Sequence, residues 1–300
     1  MAATVGFFDG VHAGHRFLFE RLKQIAREKK ISTAIITFPV HPQKIMHDSF
    51  IPALLTSFDE KMNLLTEIAP DLLIPEEFTH KLSQLSAEVF MRRILVNRLN
   101  VTCLLIGYDH RFGKGRTEDF DDYVAIGKKY GLEVIRAEAC EHNGTCISSS
   151  FIRELLLQGD VRQANQYLTY NYKLEGIVIH GQQIGQSIGF PTANIQPIDN
   201  EKVIPATGVY AVKVCVSGIR YDGMLNIGTA PTISPDRKLT IEVHIFDFNQ
   251  DIYGKNITIE FIDYIRNEMT FSSLDELKNR LIVDKEIILK ACEIIRLQLG

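Results

Sequence analysis

Alternation of two kinds of pattern is the strongest constraint on how this chain can fold. Four apolar, β-rich runs, AATVGFF (2–8), STAIITF (32–38), CLLIGYD (103–109) and LEVIRA (132–137), are separated by helical spacing over 15–29, 59–68, 80–99 and 119–130. In the first helical stretch Leu18, Leu22, Ile25 and Ala26 fall on one face. Strands that alternate with helices build crossover units and a parallel sheet. Near residue 172 the alternation stops. KLEGIVIH (173–180), GVYAVKVCV (208–216), YDGMLNIG (221–228), LTIEVHIFDF (239–248) and NITIEFIDYI (256–265) follow with Gly, Pro and Asn between them. Short strands without intervening helices predict an antiparallel barrel. Residues 273–299 return to helix. The expected organisation is an α/β domain over 1–170 and a β-barrel domain with a C-terminal helix over 171–300.

Charge and cysteine content narrow the function. A net charge of −4 argues against broad nucleic-acid binding. Five scattered cysteines without a CxxC pair point to neither a disulfide framework nor a zinc ribbon. No run approaches a membrane span and no basic stretch leads into an apolar signal, so a cytoplasmic protein without membrane partners is expected. GxGxxG and GxxxxGK[ST] are both absent, which removes the dinucleotide fingerprint and the Walker loop.

The segment GFFDGVHAGH (6–15) runs from an apolar strand into a glycine turn and then a helix. At the carboxyl end of a strand in an open sheet this is a ligand position, and helix N-termini attract anions. Gly14 is expected to let a phosphate approach the backbone, with His12 and His15 adding two ring donors. Two histidines there could equally cap the helix or face solvent. A zinc site is disfavoured because no third ligand is placed. A second segment, CISSSFIRELL (146–156), offers three serines ahead of a helix with Arg153 in its first turn. The serines can cap the helix or hold an anion, and Arg153 presents a planar fork suited to phosphate.

HxGH near the start and ISSSxIR at the end of an α/β domain resemble the nucleotidyltransferase superfamily, over residues 4 to about 157. TFPVHPQKIM (37–46) and GYDHRFGKGR (107–116) are similar to further elements of one branch, the FMN adenylyltransferase half of bacterial FAD synthetases. The resemblance implies a Rossmann-like parallel-sheet domain in which His12 and His15 bind ATP phosphates, Ser149 and Arg153 help hold them, and Asp109 lies near the nucleotide or its metal. Position 110 is His, where that family's pattern usually has an aromatic residue.

In the second half, GQQIGQSIGFPTANI (181–195) is the most specific stretch. Gly181, Gly185 and Gly189 make a loop able to close over phosphates. Thr192 and Asn194 supply a hydroxyl and a carboxamide oxygen, hard ligands suited to Mg²⁺. Ending in PTAN, the stretch looks like the riboflavin kinase family, and that resemblance covers about 173–285. It implies a six-stranded antiparallel barrel. Transfer of a phosphoryl group to riboflavin's primary alcohol calls for a base. Glu242 shares a strand face with His244 and Phe246 by period 2. The resemblance makes Glu242 that base and, more loosely, places Asn226 and Arg266 against the flavin.

Together these resemblances imply a two-domain enzyme that uses ATP and Mg²⁺ to convert riboflavin to FMN and FMN to FAD. Two alternatives stand beside it. One is a single-activity adenylyltransferase with a degenerate barrel, the other a non-catalytic flavin-binding module.

Overall fold

The computed structural model describes the chain apart from residues 48, 143–144, 182–184, 186–187, 230–238 and 300; for 141–142, 145 and 294–299 the backbone alone is described. It divides into two compact units, Met1–Ser149 and Ser150–Gly300.

The first unit is a parallel sheet with helices on both faces. Its strands are β1 (Ala2–Val5), β2 (Thr33–Thr37), β3 (Leu72–Pro75), β4 (Cys103–Ile106) and β5 (Glu133–Arg136), in the order β3-β2-β1-β4-β5. All neighbours pair in parallel. Alternate side chains feed two cores. Ala2, Ile35, Cys103 and Leu105 pack under α1 (Ala13–Lys29), reaching Leu22 and Ile25. Ala3, Ala34, Ile36, Leu104 and Ile106 pack on the other face with Phe90, Met91 and Tyr123. The remaining helices of this unit are α2 (Pro42–Met46), α3 (Phe58–Glu67), α4 (His80–Ser83), α5 (Ala87–Phe90, continued by a π-helix over Met91–Arg98) and α6 (Phe120–Lys129). Both α3 and α6 start where sequence rules put them, in capping boxes formed by Ser57 with Glu60 and Asp119 with Asp122. A small hairpin, β6 (Glu141–His142) with β7 (Thr145–Cys146), leads into α7 (Ser149–Leu157).

β3 is a strand the helical and apolar patterns did not announce. It is an edge strand of four residues ending in Pro75, seated because Asp71 accepts hydrogen bonds from the backbone N–H and hydroxyl of Thr33.

The second unit is a closed antiparallel barrel of six strands, β8 (Lys173–Ile179), β9 (Ala193–Pro197), β10 (Gly208–Val216), β11 (Ile219–Thr229), β12 (Leu239–Ile245) and β13 (Asn256–Arg266). Around the barrel the order is β10-β11-β12-β9-β8-β13. The C-terminal helix α9 (Leu274–Leu299) packs on its outside, where Ile288 and Cys292 meet Val209, Ala211, Met224 and Ile262. α7 and α8 (Val161–Leu168) group with the barrel, beginning at Ser150, rather than with the sheet. Asn165 Nδ2 donates to the Phe261 carbonyl at 2.9 Å and the Ala206 N–H donates to Leu156 O at 3.0 Å. Packing therefore changes partner about twenty residues before the pattern changes from helix to strand, because α7 and α8 bury Ile152, Leu156, Val161 and Leu168 in the second unit.

Candidate functional site

In the sheet the strand order reverses between β1 and β4, and ligands bind at the carboxyl ends of strands at such a reversal. The turn after β1 carries His12, and Gly14 and His15 lie in the first turn of α1; the turn after β4 carries Asp109 and His110. The first turn is strained. Phe8 has φ 55° and Val11 has φ 40°, a conformation costly for large or β-branched residues. The surroundings enforce it. The buried carboxylate of Asp9 accepts from the backbone N–H of Leu55 at 3.0 Å and of Thr56 at 3.2 Å. The Gly10 N–H donates to Thr56 Oγ1 at 3.1 Å. Lys61, 1% exposed, donates to the carbonyls of Phe7 at 3.0 Å and Phe38 at 2.8 Å and lies 3.7 Å from the Phe7 ring centroid. Burial lowers its pKa to about 8, against a raising influence from Asp9. Asp9 and Lys61 were not read from the sequence; a Lys three residues into a capped helix looks like a surface residue until the fold turns it inward.

His12 and His15 stack face to face with ring centroids 3.6 Å apart. Burial, then the charges of His12, Lys61 and His110, hold His15 well below the usual imidazole range, so it is neutral at pH 7. Its buried Nδ1 has no hydrogen-bond partner among the described residues. A Cβ at Gly14 would lie 3.1 Å from the Ile147 carbonyl and 3.2 Å from the His12 ring, so the bare α-carbon lets these protein groups pack close. Ser149 at the start of α7 donates from Oγ to the Asp9 carbonyl at 3.0 Å and so braces the histidine turn. Arg153 belongs to the second unit, where its Nη1 lies 3.4 Å from Ser150 Oγ. Asp109 lines a cavity of about 430 Å³ at the ends of β4 and β5, with Tyr108, His110, Asp121 and Arg136.

The barrel brings its candidates into one line. Arg266 on β13 pairs with Val209 on β10, Val209 with Asn226 on β11, Asn226 with Glu242 on β12, and Glu242 with Asn194 on β9. Directly opposed residues point to the same side of a sheet. Four residues singled out separately from the sequence thus form a row across five strands. The neighbouring row, Tyr210, Leu225, Val243 and Ala193, points the other way.

Asn226, Glu242, Thr192 and Arg266 line a cavity of about 300 Å³. Met224, Phe190 and Phe271, with Leu277 and Leu281 of α9, supply an apolar wall. Thr192 Oγ1 donates to Glu242 Oε2 at 3.1 Å. His244 was not named as a site residue. It fixes the same segment, its Nδ1 lying 2.7 Å from the Pro191 carbonyl, and burial lowers its pKa, so Nδ1 carries the proton of a neutral ring. A Cβ on Gly181 would fall 1.9 Å from Asn194 Nδ2, so glycine lets the two segments touch. Gly185 lines the cavity and accepts from Phe190 N–H at 2.8 Å; Gly189, at φ 84°, turns the chain back. Of the residues between these glycines, only Ile188 is among the described ones. Arg266 lines the cavity and is held there by protein partners. Its Nε and Nη2 both donate to Asp284 Oδ2 at 2.8 Å, and its Nη1 donates to the Asn267 carbonyl. Asp284 is fully buried on α9 and also pairs with Arg280.

No group of three or more His, Cys, Asp or Glu able to hold a metal occurs among the described residues. The oxygens of Thr192 and Asn194 are a partial set of the kind Mg²⁺ accepts, since it keeps waters and takes substrate phosphates as its other ligands.

Chemically, the first site is a strained turn with stacked imidazoles beside a helix start, suited to a polyphosphate. The second is an apolar slot ending in a carboxylate, a hydroxyl and amides. Comparison with known proteins gives the same two halves. A family model described as FAD synthetase matches residues 1–151 and one described as riboflavin kinase matches 168–292. A crystal structure named as a macrolide-efflux protein from Streptococcus pneumoniae is 30% identical, covers 96% of this chain and 93% of its own, and superposes with a TM-score of 0.86. No helix among the described residues is long and apolar enough to cross a membrane. The bifunctional riboflavin kinase/FMN adenylyltransferase of Haemophilus influenzae is 39% identical over 95% of this chain and 92% of its own length. That of Bacillus subtilis is 38% identical over 94% and 90%. With both halves matched in order along one chain, and relatives aligned over more than nine-tenths of it, the chain belongs to the bifunctional riboflavin kinase/FMN adenylyltransferase family.

Proposed function

We propose that this enzyme, which phosphorylates riboflavin to FMN and adenylylates FMN to FAD, performs the first step in the barrel and the second at the histidine turn. The row Arg266–Val209–Asn226–Glu242–Asn194, with Thr192 bonded to Glu242, is the observation that carries the assignment. An intact row is not what a degenerate barrel would keep.

In the kinase step the isoalloxazine lies against the apolar wall and the primary alcohol reaches Glu242. Glu242 takes the hydroxyl proton as the oxygen attacks the γ-phosphorus of ATP, and ADP leaves. Thr192 orients the carboxylate, and His244 holds Thr192 by way of Pro191. The loop of Gly181, Gly185 and Gly189 covers the phosphates. Thr192 and Asn194 are the protein oxygens that would hold Mg²⁺, which when bound neutralises phosphate charge. Asn226 contacts the flavin, and Arg266, tied to Asp284, shapes the wall rather than gripping an anion.

In the adenylyl step the FMN phosphate attacks the α-phosphorus of ATP and pyrophosphate leaves. The nucleophile is already ionised, so no base is needed; positioning and charge stabilisation carry the step. His12 and His15 contact the triphosphate at the start of α1, Asp109 binds the nucleotide side, and Ser149 keeps the turn in shape. The substrates are small molecules of the cytoplasm, and neither nucleic acid nor membrane takes part.

The test separates the half-reactions. Glu242→Gln should lower FMN formation by about 10²–10⁴-fold, as loss of a general base does, with FMN-to-FAD conversion unchanged. His15→Ala should do the reverse. Equal loss of both activities in either variant overturns the division.

A further inference from the structure

The loop after β4 holds a third imidazole at the first site, and nothing in the adenylyl step as described uses it. The Cys103–Ile106 strand ends beside β1, and the His110 N–H donates to Gly107 O at 3.2 Å, so a tight turn folds residue 110 back over the strand end. His110 Nε2 is buried and has no hydrogen-bond partner among the described residues, the same condition as His15 Nδ1. His110 lies within electrostatic reach of His15, whose ionisation it opposes together with His12 and Lys61. It also lines the 430 Å³ cavity with Asp109. An aromatic side chain, usual at this position in the family resembled, would fill the same space without a ring nitrogen.

Building on the assignment of adenylyl transfer to the histidine turn, we propose that His110 is a third phosphate-binding imidazole, donating from Nε2 to the triphosphate of ATP alongside His12 and His15. A buried nitrogen left unpartnered is costly unless a ligand completes it. Arg116 on the same loop, and His15 with its neighbours His12 and Lys61, act electrostatically at this end of the sheet, and the cavity lining adds Arg111 and Arg136 against Asp109, Asp119 and Asp121. Burial first, and Arg116 second, lower the His110 pKa to about 4, so the ring is neutral without ligand. A bound triphosphate reverses the sign of the local field and favours the donor form.

The experiment uses the full chain with His110→Phe and His110→Gln and follows FMN-to-FAD conversion. The phenylalanine variant should raise KM for ATP about tenfold, the size of one lost charge-assisted contact, with KM for FMN and the riboflavin kinase rate unchanged. The glutamine variant, with an amide donor at the same reach, should recover most of the loss. An unchanged KM for ATP, or a rise confined to FMN, overturns the proposal. His15→Ala is run in parallel: if it loses FAD formation while His110→Phe does not, only the His110 contact fails, and if neither has an effect the site assignment fails. Imidazole NMR on the isotope-labelled parent protein covers the case of a variant that does not fold. On adding ATP the His110 Nε2 resonance should move to that of a protonated, hydrogen-bonded nitrogen, and a resonance that stays where it was overturns the proposal.

Discussion

Asp9 and Thr56, 47 residues apart, are joined by a hydrogen bond from the Thr56 backbone N–H to the Asp9 carboxylate at 3.2 Å, inside the protein and directly beneath the histidine turn. The Thr56 hydroxyl adds a second contact at 3.3 Å, and Leu55 N–H a third. One carboxylate thereby holds Phe8 and Val11 in backbone conformations they would not adopt alone.

Asp9→Ala should release that turn. Three buried donors lose their acceptor, at a cost of about 2–4 kcal/mol to the α/β unit. FAD formation from FMN should fall by at least about a hundredfold, while riboflavin phosphorylation is retained. Denaturant titration and the two half-reactions measure this; an unaffected FAD rate would mean the strained turn has no part in the chemistry.

Thr192→Val keeps shape and removes one oxygen. The kinase rate should fall by about tenfold or more, because Glu242 loses its orienting donor and the metal one ligand. The Mg²⁺ concentration giving half the maximal rate should rise. A Mg²⁺ titration of FMN formation decides it: a lower rate at an unchanged Mg²⁺ requirement would remove Thr192 from the metal while keeping it beside the base.

Lys61 makes stability depend on pH in a definite direction. Its folded-state pKa, about 8, lies below the ordinary lysine value of 10.5. Between those values the unfolded chain holds a proton that the folded chain has released, so the α/β unit gains stability as pH rises through this window. Below about pH 8 the buried charge is a cost, of the order of 3 kcal/mol. Relative to Lys61→Met, the parent should therefore gain stability as pH rises from about 7 toward about 10. The same variant should lose FAD synthesis, since the ammonium ties Phe7 to Phe38. Unfolding curves of parent and variant at several pH values give the difference directly, and a pH-independent difference would show that the charge is not the cause.

The barrel can be cut out, and where matters. A fragment from Ser150 keeps α7 and α8 and should fold and phosphorylate riboflavin. One from Asn171 loses the buried side chains of Ile152, Leu156, Val161 and Leu168 and the Asn165 bonds to Tyr172 and Phe261. It should melt at least about ten degrees lower. Calorimetry of the two fragments checks this, and equal melting temperatures would move the boundary back to the pattern change.

Much of this was legible in the sequence. Periodicity located α1 and β1, β2, β4 and β5 because each has a continuous apolar pattern, and motif resemblance drew attention to His12, His15, Thr192 and Glu242. β3 escaped because an edge strand of four half-exposed residues carries little pattern. β9 was hidden inside PTANI, where the motif drew attention to side chains rather than to the strand they sit on. Asp9, Lys61, His244 and Asp284 were invisible as partners because their roles are contacts across long sequence separations. Gly14 and Arg266 were singled out for a ligand, while their protein contacts, with Ile147 and Asp284, come from distant parts of the sequence and were not legible.

The row across the barrel also acts as a checksum. Side chains alternate along a strand, so a slip of β12 by one residue would turn Glu242 away from the slot and present Ile241 or Val243 instead. The same holds for Asn226 on β11 and Asn194 on β9. Phosphoryl transfer to riboflavin thus reports that these pairings are in register, and a misassembled barrel is silent rather than erratic.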